Sequence, residues 1–377
     1  MASVGIIAEY NPFHNGHLYH LNKVKEMFKD HEIIVILGGN FLQRGEISVL
    51  DKWDKTTLAL KYGADLVVEL PFPFATQSAD IFAKGAISLL NHLNIDYLVF
   101  GSESNDLKKL TNIAKAMNSS KYNVLLKKNI DLGLSYPSAN SKAIASLTNY
   151  KIKTPNDILG IAYIKEIMLS ESNIKPLTIK RTNDYHNKDL LNSITSATSI
   201  REALKNNQNI KKYVPTKTFN LLKNYQILNR NFDLLKYQIL NNFAVLNEFL
   251  GVDEGIEYKI LKKINQVNSL DELIKAIKSK RYTYNRLNRM FTHILLSYTK
   301  KENQRFSIIE YIRILGFNKK GQAFLKKHKK DITLPIVTTY SKNNHPMLKY
   351  EEKISNLYYL INNLDRKEEH KQKIIII

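Results

Sequence analysis

The sequence predicts an α/β fold: a parallel sheet in the first half, followed by a mostly α-helical second half. Three observations carry this. Strand-like and helix-like stretches alternate from Ser3 to Arg201. Ile33–Leu37, Leu66–Val68 and Leu98–Phe100 are continuous apolar runs, the pattern of strands buried on both faces. Beyond Pro215 strand-like runs nearly vanish and helical periodicity dominates. Alternating strands and helices imply parallel strands joined by right-handed crossovers, with ligands at the strands' carboxyl ends.

In chain order, Ser3–Glu9 reads as a strand, His17–Phe28 as a helix, and Glu32–Leu37 as a strand ending in Gly38-Gly39. Trp53–Tyr62 reads as a helix, Asp65–Leu70 as a strand stopped by Pro71 and Pro73, Thr76–Leu93 as a helix, and Tyr97–Phe100 as a strand ending at Gly101. Asp106–Asn118 and Val124–Leu132 look helical. Pro155–Ser170 is a helix with Thr154 at the N-cap and Pro155 at the first position, where its missing N–H costs nothing. Ile174–Lys180 reads as a strand reaching Arg181, and Ser196-Ala197-Thr198-Ser199-Ile200-Arg201 opens a helix. Thr218 to about Tyr298 and Ser307 to Lys330 follow helical periodicity. The boundary falls near 205–217, giving domains 1–210 and 211–377. The charged run Arg366–Lys371 reads as a solvated helix or tail, and Ile374–Ile377 as a frayed end.

The 377 residues suffice for a large core without staples. Cysteine is absent, which removes disulfides, thiolate nucleophiles and cysteine zinc sites and fits a reducing compartment. The start has no basic region and Glu9 breaks its apolar run, so no signal peptide is expected; nor is a membrane span, and the expected location is the cytoplasm. A formal charge of +21 points to a polyanionic partner. A Lys-, Asn- and Ile-rich composition of the kind AT-rich coding produces gives the same charge without one.

The chemistry concentrates after the first strand, in Asn11-Pro12-Phe13-His14-Asn15-Gly16-His17. A strand, a glycine loop and a helix start make an anion site, because unpaired backbone N–H groups and the positive dipole end face the loop. A spacing of three sets His14 and His17 about 60° apart on one helix face, where each can donate a hydrogen bond to a phosphate. Gly16 lets a triphosphate lie close to the backbone. A metal site of His14, His17 and His20 drifts about 120° round the helix and lacks an acidic fourth ligand, so no protein-held metal is expected. The remaining alternative is structural, with histidines capping a turn. Thr198, Ser199 and Arg201 form a possible second phosphate clamp, although hydroxyls before a helix are also ordinary N-caps. Arg181 is a further candidate for the same crevice.

The segment Lys278–Arg289 interleaves Lys278, Lys280, Arg281, Arg286 and Arg289 with Tyr282 and Tyr284, which suits phosphates and unpaired bases together. Lys319, Lys320 and the run Lys326–Lys330 add possible backbone contacts, with a solvated helix face as the bland reading. Gln43-Arg44-Gly45-Glu46 lines the crevice, reaches for RNA, or is a surface turn.

His14-x-Gly16-His17 with Ser199-Ile200-Arg201 resembles the HIGH-type nucleotidyltransferase superfamily. The run Glu9–His17 is more specific. With Gly39-Asn40-Phe41, Arg44-Gly45-Glu46, Ala64–Pro71, Phe100–Glu103, Pro155–Gly160, Lys280–Tyr284 and Leu315-Gly316-Phe317…Gly321, it resembles the bacterial tRNA(Met) cytidine acetate ligase family along nearly the whole chain. The resemblance implies a Rossmann-like nucleotidyltransferase domain followed by a helical tRNA-binding domain. It implies that ATP and acetate form acetyl-adenylate, whose acetyl group passes to N4 of the wobble cytidine of elongator tRNA(Met). It carries catalytic roles to His14 and His17. It carries ATP contacts to Ile7, Ala8, Glu9, Tyr10, Asn11, Pro12, Phe13, His14, Asn15, Gly16, His17, Leu18, Tyr19, His20, Gly101, Asn156 and Arg181. Mg²⁺ is the expected companion of the triphosphate. Asp157 stands where some members have a second Asn, and Ser196-Ala197-Thr198 departs from the usual superfamily pattern. No protein partner is expected. A small-molecule nucleotidyltransferase leaves the basic second half idle, and a non-catalytic RNA-binding protein leaves both phosphate motifs unexplained.

Overall fold

The continuous apolar runs form the middle of one sheet. The computed structural model describes residues 2–152, 154–181, 194–223, 225, 230–340, 345–365 and 368–377. Its strands are β1 (Ser3–Ala8), β2 (Glu32–Gly38), β3 (Leu66–Leu70), β4 (Tyr97–Ser102), β5 (Lys175–Lys180), β6 (Ile312–Phe317), β7 (Ile336–Val337) and β8 (Ile375–Ile376). The order across the sheet is β5-β4-β1-β2-β3-β6-β7, with β8 also paired to β6. Pairings from β5 to β3 are parallel, so the predicted α/β class holds.

Helices α1 (Asn15–Met27), α2 (Lys52–Tyr62), the single turn α3 (Phe72–Ala75) and α4 (Ala79–His92) connect β1 to β4. Helices α5 (Leu107–Met117), α6 (Ser120–Asp131), α7 (Tyr136–Thr148) and α8 (Pro155–Leu169) lead to β5, and α9 (Ala197–Lys205) follows it. The stretch expected as one helix from Thr76 is broken, because Ser78 serves as the N-cap of α4 after α3 has ended. One apolar layer packs Phe82, Ala86 and Leu90 of α4 and Ile161 and Ile164 of α8 against Ile34, Val68 and Leu98. The opposite layer packs Leu21, Val24, Leu58 and Ile200 against Ile6, Val35 and Val67.

The second half holds α10 (Thr216–Leu222), α11 (Arg230–Asn241), a 3₁₀ turn (Phe243–Glu248), α12 (Ile256–Ile264), α13 (Leu270–Ile277), α14 (Tyr284–Leu295) and α15 (Lys300–Arg305), then α16 (Lys319–His328) and α17 (Pro346–Ile361) after β6. Residues between Phe232 and Ile294 build an apolar cluster of their own.

Three expectations are corrected here. The helical stretch from Ser307 contains β6, whose six residues are all buried and which pairs antiparallel with β3. Its sequence hides this because Arg313 interrupts the apolar run. Arg313 is 1% exposed, with its guanidinium 5.8 Å from the Trp53 ring centroid. The sheet therefore takes a strand from beyond the 210/211 boundary. The end of the chain is not frayed: Ile375 and Ile376 pair with Gly316 and Phe317, supplying a strand partner. Within the charged run, Arg366 and Lys367 lie outside the described residues, but Glu369 is 1% exposed and sits 3.1 Å from the Lys52 ammonium. A buried cation already present at that place decides the fate of Glu369.

Because β6 runs against β3, Phe317 faces Leu66 and α16 starts at the amino end of the parallel strands. The Asn318 side chain accepts from Gly321 N at 3.0 Å and donates to Asp65 Oδ1 at 2.7 Å. A Cβ on Gly321 would lie 2.0 Å from the Asp65 carbonyl oxygen. Gly321→Ala is expected to destabilise the fold by about 3 kcal/mol, as overpacking against rigid backbone does. Urea denaturation measures it, and a value within about 0.5 kcal/mol of wild type would show that α16 shifts without cost.

Candidate active site

The crevice opens at the carboxyl ends of β1, β4 and β5. A cavity of about 210 Å³ is lined there by Ile7, Ala8, Glu9, Tyr10, His14, Gly16, His17, Tyr19 and His20 from the first motif. Gly101, Asn156 and Arg181 meet them from the other strands and from α8. The remaining members of the expected ATP segment, Asn11, Pro12, Phe13, Asn15 and Leu18, are not in its wall. Asn11 Oδ1 accepts from Val49 N at 2.9 Å, Phe13 stacks on Tyr62 at 5.2 Å, and Asn15 N donates to Tyr213 O at 3.0 Å. These residues fix the path of the turn, in which Tyr10 takes a left-handed φ of 49°.

His14 is the N-cap of α1. Its Nδ1 accepts from Gly16 N at 3.0 Å, so the neutral ring carries its proton on Nε2. His17 Nδ1 accepts in return from His14 N at 3.3 Å, and the two rings stack at 3.8 Å. The capping role of each ring thus uses Nδ1 and not Nε2. Packing alone calls for glycine at position 16: a Cβ there would lie 2.7 Å from His14 Cε1.

On the other side Arg181 Nη1 donates to Asn156 Oδ1 at 3.3 Å, and Asn156 Nδ2 donates to Glu103 Oε1 at 2.6 Å. Asp157, the family departure, accepts from Ser102 Oγ at 2.5 Å and from Glu103 N at 3.1 Å, bracing β4 against α8. Around the cavity the Tyr10 hydroxyl, His20 Nε2 and Arg181 Nε are buried with no hydrogen-bond partner among the described residues. Among those residues no group of three or more His, Cys, Asp or Glu is placed to hold a metal ion.

The possible phosphate clamp lies outside the cavity wall. Ser196 is the N-cap of α9, its Oγ accepting from Ser199 N at 3.1 Å, and the two hydroxyls are 2.8 Å apart. Arg201 donates to Asn11 O at 2.8 Å and pairs with Glu46 at 2.8 Å, with Thr198 Oγ1 at 3.5 Å. Ile194 and Thr195 line the cavity instead. Here the ordinary N-cap geometry accounts for the hydroxyl pattern.

Sequence reasoning missed Phe82, Phe100, Leu159 and Tyr163, which form an apolar end of the cavity. A signal existed for two of them. Leu159 and Tyr163 follow Asn156 by three and seven residues, on one face of α8. The undecided Gln43–Glu46 loop is also placed. Gln43 lines the cavity and its N–H donates to Glu9 Oε1 at 2.7 Å. Arg44 O accepts from Asn288 Nδ2 at 2.8 Å and Gly45 O from Thr292 Oγ1 at 2.7 Å, so the loop docks on α14. At Gly45, φ is 78° and a Cβ would lie 2.6 Å from the Asn288–Arg289 backbone.

Helix α14 and the turn before it carry the interleaved segment. Lys278, Lys280, Arg281 and Tyr284 are exposed, and Arg286 and Arg289 half-buried. Tyr282 is corrected: it is buried, and its hydroxyl donates to Asp253 O at 2.5 Å. It serves as the platform for Arg286, which sits 4.2 Å above its ring, because depth is invisible in an alternating pattern. Lys319 and Lys320 open α16 at the amino end of the strands, away from the crevice.

Burial sets the histidine chemistry. His14 is lowered from 6.5 to about 3 by burial, then by Arg181 and Arg201. Burial lowers His20 to about 4, with Arg181 adding to it. His17 is held well below its usual value by burial, His14, Arg181 and His20, against a backbone hydrogen bond at Pro12. The unfolded chain binds these protons near pH 6.5 and the folded chain does not, so protons favour unfolding between the two values. Stability is therefore expected to fall as pH drops from 6.5 toward 5, by roughly 1.4 kcal/mol per pH unit for each histidine. Urea midpoints at pH 7 and 5 check this; equal midpoints would mean the imidazoles already titrate in the fold.

The model of the HIGH Nucleotidyl Transferase family matches residues 1–373. The chain is 40% identical to the tRNA(Met) cytidine acetate ligase of Oceanobacillus iheyensis, covering 96% of this chain and 95% of that protein. It is 38% identical to the one of Bacillus subtilis, covering 96% and 92%. Crystal structures of Thermotoga maritima TmcAL, apo and bound with alpha-thio ATP, superpose with TM-scores of 0.91 and 0.89 at 30% identity over the whole of both chains. Strand order, the two-histidine turn and these relatives agree: the chain belongs to the tRNA(Met) cytidine acetate ligase family of HIGH nucleotidyl transferases.

Proposed function

We propose that this chain uses ATP to activate acetate as acetyl-adenylate and transfers the acetyl group to N4 of the wobble cytidine of elongator tRNA(Met). The observation that carries the reading is one continuous arrangement. Stacked neutral histidines and Arg181 line a cavity whose wall loop, Gln43–Glu46, docks on α14 at Asn288 and Thr292, on the helix that carries Arg286 and Arg289. The relatives' names support the same substrates.

In the first step an acetate oxygen attacks the α-phosphorus and the bond to pyrophosphate breaks. Charge builds on oxygens held by imidazole N–H groups and Arg181, donors fixed by the fold and largely out of water. Mg²⁺ enters as the companion of the triphosphate, with no residue of the chain assigned to hold it. In the second step the cytosine amine attacks the acetyl carbonyl and AMP departs, in a site that must exclude water from the anhydride. Unpaired anticodon bases are reached by splaying them from their stack, and Lys278, Lys280, Arg281, Tyr284, Arg286 and Arg289 form the RNA-facing surface. No helix among the described residues is long and apolar enough to cross a membrane.

Incubation with ATP, labelled acetate and bacterial tRNA, followed by digestion to nucleosides, is expected to yield labelled N4-acetylcytidine. Adenylate formation indifferent to RNA would favour a small-molecule nucleotidyltransferase; RNA binding without ATP turnover would favour a binding protein. In an ATP–pyrophosphate exchange assay His17→Ala is expected to lower acetate-dependent exchange about 100-fold or more while tRNA still binds. Exchange at the wild-type rate would remove His17 from the activation step. Arg281→Ala is expected to weaken tRNA binding and reduce the salt slope by about one. Unchanged affinity across several salt concentrations would take this surface out of the interface.

A further inference from the structure

One group in the cavity has no task in holding phosphates. Glu9 is an acid in a pocket built for a polyanion, and a carboxylate repels phosphate oxygens. Its place in the fold gives it another side to face. It follows β1, which separates β4, with Gly101, and β5, with Arg181 just beyond its end, from β2 and the Gln43–Glu46 loop. The only hydrogen bond of its side chain among the described residues runs to the loop side: Oε1 accepts from Gln43 N at 2.7 Å. Oε2 has no partner among those residues, and the side chain lines the cavity. The loop that holds it is the one docked on α14.

We infer that Glu9 is the catalytic base on the acceptor side of the cavity, its Oε2 taking a hydrogen bond and then a proton from the exocyclic amine of the incoming cytosine. This rests on the proposed acetyl transfer. As N4 bonds to the acetyl carbon, the carbon–oxygen bond to AMP breaks and the pair leaves on the phosphate. The N4 proton passes to Glu9 and from there to water. Gln43 is a positioning residue, holding one oxygen so that the other points inward, and Phe82, Leu159 and Tyr163 offer the apolar wall against which a base can lie.

The charges around Glu9 suit the task. Burial and Glu46 raise its pKa, while the Gln43 N–H, Lys55 on α2 and Arg44 in the loop lower it, leaving it above the usual carboxylate range. Burial, and after it the Glu9 charge, raise the pKa of Tyr163 on α8 and keep its phenol protonated. A carboxylate shifted in this direction is a better base for a weakly acidic N–H.

Glu9→Gln keeps an oxygen for Gln43 N–H and removes the base. Two rates are read with the full chain: acetate-dependent ATP–pyrophosphate exchange, and single-turnover acetyl transfer to tRNA. The expected result is a loss of transfer about 100-fold greater than any loss of exchange, and disappearance of the rise of transfer rate with pH that wild type shows through the Glu9 ionisation. Glu9→Asp is expected to recover part of the transfer and to restore the pH rise. Parallel loss of exchange and transfer would overturn the proposal and assign Glu9 to the ATP half, as a ribose-hydroxyl acceptor. Wild-type transfer in Glu9→Gln, with its pH rise intact, would overturn it as well. If wild type itself acetylates no tRNA, the proposed function fails first, which separates the two failures. Thermal melting and ATP binding of both variants identify a fold defect, in which case the Glu9→Asp pH profile decides.

Discussion

The site depends on one buried ammonium. Lys55 projects from α2 to the place where β1 and β2 end, and its Nζ donates to three carbonyls: Glu9 O at 3.0 Å, Gly38 O at 2.7 Å and Gly39 O at 2.6 Å. Backbone carbonyls leaving a sheet lose their ladder partners and need donors when buried. Three hydrogens meeting three acceptors satisfy that need at one point and tie the two strand ends together. Burial pushes the lysine down to about 7, and the negative charges of Glu9, Asp51 and Glu69 resist. The turn that carries the histidines and the loop that carries Gln43 both begin at these carbonyls, so both halves of the cavity share one anchor.

Beside it runs a second buried network. The Lys52 ammonium lies 2.8 Å from Glu69 and 3.1 Å from Glu369, while Glu351 accepts from Phe72 N at 2.5 Å. Glu351 is pushed up to about 8 by burial and by the neighbouring Glu69. These contacts fasten α17 and the chain's last segment over the carboxyl end of β3. Strand β6 covers the β3 edge that would otherwise present unpaired backbone. The late segments of the chain therefore complete the platform for a site whose motif stands in its first twenty residues.

This connectivity explains what was legible in the sequence. Local patterns read well. Apolar runs gave the buried strands, Thr154-Pro155 marked the start of α8, and a His-x-Gly-His segment after a strand marked the crevice. What failed to read was set by distant partners. Arg313 looks polar until Trp53 and the sheet surround it. Glu369 looks solvated until it meets Lys52. Ile375 and Ile376 look loose until Gly316 and Phe317 pair with them. Tyr282 and Arg286 share one alternating segment, yet one is a floor and the other rests on it. The Gln43–Glu46 loop is undecidable from sequence because its meaning lies in what it joins: Glu9 at one end, α14 at the other, and Arg201 through Glu46.

The neutrality of the histidines follows from the same architecture. The triphosphate of the proposed reaction calls for positive charge, yet burial and Arg181 keep His14 and His20 uncharged down to acidic pH. A second and third buried cation beside Arg181 would cost desolvation and mutual repulsion whenever the pocket stood without its substrate. Neutral imidazole donors avoid that cost. In the proposed activation step their hydrogen bonds would strengthen as charge accumulates on the phosphate oxygens, which is when stabilisation accelerates a reaction and does not merely tighten binding. Tying His14 Nδ1 to Gly16 N leaves the proton on Nε2 before any substrate arrives. The capping geometry of α1 thus fixes the tautomer that the proposed activation step uses: the bond by which His14 caps the turn is the one that leaves its proton on Nε2.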